Sequence, residues 1–134
     1  MKTSMYFLAV LLLLFNGLGA VYGGLMLILA PNGELMHITV DYLKYSPFST
    51  FLIPGIVLFV FNGLSSLCIA GIVLFKKTYS ARLILFQGII LTGWIGIQII
   101  LLKLFNSLHL VMGLTGLLLM ISGTFLQKAK YFDS

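Results

Sequence analysis

Chemistry needs ionisable or nucleophilic side chains that converge, and this chain offers one such grouping. Glu34, His37 and Asp41 are spaced Glu-x-x-His-x-x-x-Asp, with Lys44 continuing the series. On a helix these residues share one face, and a divalent cation could be held there if His109 reached it from elsewhere in the chain. An amphipathic helix with a solvated polar face explains the same spacing with less, because Leu35, Ile38, Tyr42 and Tyr45 form a parallel apolar stripe. The expectation is an outer interfacial cluster that neither binds a metal nor catalyses a reaction. No phosphate loop, nucleophile motif or HExxH pair occurs anywhere in the sequence.

The remaining candidates are neutral or aromatic: Asn16, Asn62, Trp94, Gln98 and His109. Asn16 and Asn62 each fall near the middle of a long apolar run. They can hydrogen-bond to each other across two helices, or line a ligand cavity. Trp94 can be a bulky core residue, a lipid-facing ring, or the floor of an outward-facing pocket shared with Gln98 and His109. Cys68 is the single cysteine, so no intramolecular disulfide or CxxC centre can form. It is expected to be a small packing residue. No cofactor is expected.

The elements that would position these residues are unusually apolar. Of 134 residues, 60% are hydrophobic and only 8% charged, and the mean hydropathy is +1.15. Soluble domains carry roughly 25% charged residues, so this chain cannot dress a normal solvated surface. Four apolar runs stand out, at about 5–30, 50–75, 83–102 and 108–126. The clearest is Phe51–Phe75, 25 residues without a charge, closed by Lys76 and Lys77. As a helix it exceeds the ~30 Å hydrocarbon core and can span it with tilt. The first run is too long for the ~7–15-residue core of a signal peptide, so a retained helix is expected.

Charge placement sets the expected orientation. Lys2, Lys76, Lys77, Arg82, Lys128 and Lys130 fall at the termini or in one short connector. Only Lys44 and Lys103 lie in the other two. The positive-inside rule then puts both termini in the cytoplasm. The net charge of +5 therefore reads as topology with the lipid bilayer as partner, not as a nucleic-acid surface.

Local signals fill in the path. Pro31-Asn32-Gly33 is a turn ending the first helix. Residues 34–45 are expected to form the short amphipathic helix in the first outer loop. Ser46-Pro47 looks like an N-cap with proline at the first helical position, and Pro54 inside the span is expected to kink it. Glycines and small residues recur at helical spacing: Gly19 with Gly23, Ala20 with Gly24, Gly88 with Thr92 and Gly96, and Gly113 with Gly116 and Gly123. Such spacing lets backbones approach, whether within this chain or between chains. The tail QKAKYFDS is expected to be an interfacial anchor. FNGL occurs at 15–18 and again at 61–64, with FNSL at 105–108. These copies are expected at unequal depths, as a shared packing vocabulary.

Ser46-Pro47-Phe48, Leu52-Ile53-Pro54-Gly55, Leu58 to Gly63 and Gly93-Trp94-Ile95-Gly96-Ile97-Gln98 resemble a group of small, uncharacterised bacterial four-span membrane proteins. The resemblance covers most of the chain in length and span order. It implies a four-span architecture in a bacterial inner membrane, and carries no activity that could be transferred.

The expected architecture is all-α: one membrane domain over residues 1–134, an antiparallel four-transmembrane-helix bundle with the amphipathic helix in its first outer loop. Charges are absent from the span interiors, which disfavours ion-coupled transport and intramembrane metalloenzymes. The expected function is non-enzymatic, as a membrane subunit or interaction partner of other membrane proteins or of itself. The alternative is binding or transport of a small hydrophobic molecule, a lipid or quinone, in an outward-facing pocket.

Overall fold

The computed structural model describes residues 2–34, 47, 49–102 and 107–132. Among these residues it is helical without strands, and four helices are long and apolar enough to cross a membrane. They are α1 (Lys2–Leu29), α2 (Leu52–Leu74), α3 (Ser80–Leu102) and α4 (Ser107–Lys128). The amphipathic helix expected over residues 34–45 lies outside the described residues, apart from Glu34.

The end of α1 follows the turn chemistry read from the sequence. The Gly33 N–H donates to the Ala30 carbonyl, and the Glu34 N–H to Asn32 Oδ1. Gly33 has φ 85°, a backbone that L side chains rarely adopt. Across the loop the Phe51 N–H donates to the Pro31 carbonyl at 2.8 Å, which ties the start of α2 to the end of α1.

The start of α2 corrects one expectation. Pro47 is not the first helical residue; it and residues 49–51 are non-helical, and the helix begins at Leu52 with Phe51 as its N-cap. Pro54 is thereby the third helical residue. The N–H groups of a first turn have no intrahelical acceptor, so proline loses nothing there and need not kink the helix. The first intrahelical bond, Gly55 N–H to the Phe51 carbonyl, is 2.7 Å long. The irregularity lies one turn deeper: Leu58–Leu64 is a π-helix, followed by regular α-helix from Ser65.

Glycines set the two closest helix pairs. Gly24 faces Gly55 and Phe59, while Gly17 and Gly63 face each other and Leu67 and Val21, so α1 and α2 run antiparallel. Gly88 faces Gly116 and Met120, and Gly123 faces Ala81 and Leu85, so α3 and α4 do the same. The α1–α2 and α3–α4 contacts are the two most extensive, and α1 also touches α4. Tyr6, Leu13, Val73, Ile84, Leu91, Leu119, Leu126 and Phe132 belong to the buried core. The outer faces stay apolar, with Phe7, Leu11, Leu29, Phe86, Ile100, Leu114 and Ile121 all exposed. An apolar exterior of this extent is what a bilayer accepts and water does not. Cys68 belongs to that exterior and not to the core, because Ser66, Ile69, Ala70 and Val73 take the inward positions around it.

One end of the molecule gathers the basic residues. Lys76 Nζ lies 5.2 Å from the Tyr6 ring centre and 5.6 Å from that of Tyr131, joining the start of α1, the end of α2 and the tail. Tyr6 and Tyr131 stack at 5.5 Å, and Phe132 is buried against them. The tail, expected to be an interfacial anchor, packs Tyr131 and Phe132 against the start of α1. Lys76 and Lys130 both have positive φ, at 53° and 54°. Lys130 ends α4 in a Schellman turn: its N–H donates to the Gln127 carbonyl, and that of Tyr131 to Leu126.

Lysine at this left-handed position costs about 1 kcal/mol against glycine, while a cation over two rings returns about 0.5–1 kcal/mol. Lys76→Gln keeps the strain and loses the cation, so a destabilisation of about 0.5–1 kcal/mol is expected. Lys76→Gly loses both and should stay within about 0.5 kcal/mol of wild type. Denaturant titration followed by Trp94 fluorescence separates them. No loss in Lys76→Gln would show that the rings do not hold the cation.

Candidate functional site

The polar residues that the structure brings together lie where α1, α2 and α3 meet at the π segment. Its local chemistry follows from backbone counting. The Ser65 N–H donates to the Val60 carbonyl, five residues back. When the next residue resumes the four-residue spacing of an α-helix, the carbonyl of Phe61 is skipped and has no backbone donor. A buried carbonyl left so costs about 1–3 kcal/mol. Gln87 of α3 supplies the missing donor, its Nε2 giving a 3.3 Å bond to the Phe61 carbonyl. Its Oε1 accepts from Ser65 Oγ at 2.9 Å. Gln87 is fully buried.

From the other side Asn16 Nδ2 donates to the Asn62 carbonyl at 3.3 Å, and Ser66 Oγ donates to the Leu13 carbonyl at 2.7 Å. Asn16 and Asn62 therefore do meet, but side chain to backbone and not side chain to side chain. The side-chain amide of Asn62 and Asn16 Oδ1 are buried without a partner among the described residues. Each interhelical bond of this kind contributes about 0.6 kcal/mol within a membrane.

The FNGL copies explain why these residues coincide. Gly17 and Gly63, at matching places in the two copies, sit at the α1–α2 crossing. A Cβ on Gly17 would meet Leu67, and one on Gly63 would meet Val21, each four residues past the partner glycine. The first two copies are thus opposed at one level, contrary to the unequal depths expected for them. The third copy falls partly outside the described residues.

The other sequence candidates are not part of this layer. Trp94 is half-buried and packs against the core, and Gln98 is half-buried higher on α3. The backbone of His109 lies in the first turn of α4, while its side chain falls outside the described residues. Glu34 is exposed, and His37 and Asp41 lie outside the described residues. No group of three His, Cys, Asp or Glu residues occurs among the described residues.

Ser65, Ser66 and Gln87 complete the layer that Asn16 and Asn62 begin. A glutamine mid-helix in an apolar run was the available signal, but no periodicity reveals a seven-residue π segment. Chemically the layer is a set of amides and hydroxyls that donate and accept hydrogen bonds; it contains no titrating group and no nucleophile–base pair. Compared with family models, curated proteins and solved structures, the chain gives no match.

Proposed function

We propose that this chain is a non-enzymatic membrane subunit, an antiparallel four-helix bundle inserted in the bilayer, that docks through bare glycine faces onto another membrane protein or a second copy. The observation that carries this reading is the division of its glycines. Gly17, Gly24, Gly55, Gly63, Gly88, Gly116 and Gly123 are consumed by contacts within the chain. Gly93 and Gly96 of α3, Gly19 of α1 and Gly113 of α4 would meet nothing within 4 Å if given a Cβ. Glycine in a helix interior costs about 1 kcal/mol against alanine, and close approach of a partner helix recovers that cost in lipid.

The cationic end formed by Lys2, Lys76, Lys77, Arg82, Lys128 and Lys130 supports cytoplasmic termini. The sequence resemblance supports a bacterial inner membrane. The polar layer, on this reading, sets helix register and not chemistry.

Native mass spectrometry after gentle detergent extraction tests the proposal. A complex heavier than the monomer is expected for wild type. Leucine at both Gly93 and Gly96 should leave the monomer folded and remove the heavier species. A wild-type chain that is monomeric and partnerless sinks the reading.

A further inference from the structure

We infer that the basic end of the molecule holds a specific site for a phosphate monoanion, supplied by the headgroup of an anionic phospholipid. A cavity of about 220 Å³ opens there between the connector before α3 and the end of α4. Its polar lining is Thr78, Arg82, Gln127 and Lys130, and its apolar wall includes Leu126 and Phe132. The described lining thus combines two cations with two neutral hydrogen-bonding groups and contains no carboxylate.

That set matches a phosphodiester. The guanidinium of Arg82 can bond two phosphate oxygens in parallel, the Lys130 ammonium adds a point charge, and Thr78 and Gln127 bring neutral donors. The cavity lies between the N-terminus of α3, whose dipole favours an anion, and the C-terminal turn of α4, whose dipole opposes it, so Arg82 and Lys130 supply the net attraction.

One feature favours a lipid over a soluble anion. The wall of Leu126 and Phe132 is apolar and continuous with the buried core, as suits a ligand bearing acyl chains. Lys130 is held in a left-handed backbone by its Schellman turn, which fixes its position at the cavity instead of leaving it on a flexible tail. The lipid source rests on the membrane insertion proposed above. Phosphate recognition itself does not.

Full-length protein in detergent, titrated with phosphatidylglycerol or phosphatidylcholine and read by native mass spectrometry, tests the site. One phosphatidylglycerol per chain is expected, with phosphatidylcholine retained less. Arg82→Gln and Lys130→Gln should each weaken retention about tenfold, the loss of one charge-assisted contact. Lys77→Gln and Lys128→Gln, which remove equal charge outside the cavity lining, should leave it unchanged. All four positions are exposed, so the variants should fold, and Trp94 melting curves verify that.

Asp133 follows Phe132 in the sequence. Asp133→Asn should hold or raise retention; loss of binding in that variant would overturn the anion assignment. Inorganic phosphate as competitor separates the sources. If it displaces the lipid fully, with the same dependence on Arg82 and Lys130, the phosphate site stands and soluble phosphate is its ligand. Equal weakening by all four lysine and arginine variants, or by none, reduces the effect to diffuse charge and overturns the site.

Discussion

Gly123→Leu is expected to destabilise the protein by at least about 3 kcal/mol, the largest loss among single substitutions on α3 or α4. The reason is the nature of the neighbour. A Cβ at Gly123 would lie 2.6 Å from the Leu85 backbone nitrogen and 3.0 Å from the Ala81 carbonyl oxygen. Those atoms belong to a helix backbone and cannot rotate aside as a side chain would. Only separation of α3 from α4 makes room, and that opens one of the two most extensive helix contacts in the molecule. Gly93→Leu is the matched control, because nothing lies within 4 Å of its Cβ position. It should be neutral or raise monomer stability by up to about 1 kcal/mol, as glycine leaves a helix interior. Unfolding in mixed micelles, followed by the single tryptophan Trp94, gives both numbers. Similar losses in the two variants would refute the assigned α3–α4 packing.

Gln87→Leu is expected to cost about 1–2 kcal/mol despite the similar volume of the two side chains. Leucine removes the donor to the Phe61 carbonyl and the acceptor for Ser65 Oγ. The average membrane hydrogen bond, about 0.6 kcal/mol, underestimates this loss. It describes carbonyls that find other partners, whereas the π turn leaves Phe61 without a backbone donor. One local rescue exists. Ser65 stands four residues after Phe61, so its hydroxyl can swing to that carbonyl, as serines in helices commonly do. Combining Gln87→Leu with Ser65→Ala removes the rescue. Because Gln87→Leu alone already loses the Ser65–Gln87 bond, the double variant should lose more than Gln87→Leu by the worth of the rescue, about 0.5–1 kcal/mol. A double variant no less stable than Gln87→Leu, measured by the same unfolding titration, would show that Ser65 does not rescue the Phe61 carbonyl, and no loss in Gln87→Leu itself would show that Gln87 does not serve the π turn.

Much of the architecture was legible because it depends on local quantities. Run length, hydropathy and the placement of Lys76 and Lys77 depend on neighbours in sequence, and the four helices appear within a few residues of the expected bounds. The turn at Asn32 and Gly33 was equally local. The setting of Pro54 was not local. Its effect depends on where the helix starts, and that start coincides with the long-range bond from the Phe51 N–H to the Pro31 carbonyl.

The candidate site was half legible. Asn16 and Asn62 stood out as polar residues in apolar runs, and they do meet. Gln87 and Ser65 looked no different from other small or polar residues. Their role appears only once the backbone of α2 skips a carbonyl.

By itself, then, the sequence determined what burial and helix periodicity determine: four helices apolar enough for a membrane, their antiparallel order, and the gathering of six cations at one end. Tertiary structure decided which glycines are spent inside the chain and which stay bare, since Gly116 and Gly113 are alike in sequence but only Gly116 meets another backbone. It also brought Thr78 and Arg82 to Gln127 and Lys130 around one cavity, across more than forty residues of chain. The physical reason is common to both. Spacing along a helix says which residues share a face, but only the packing of a second helix says what that face meets.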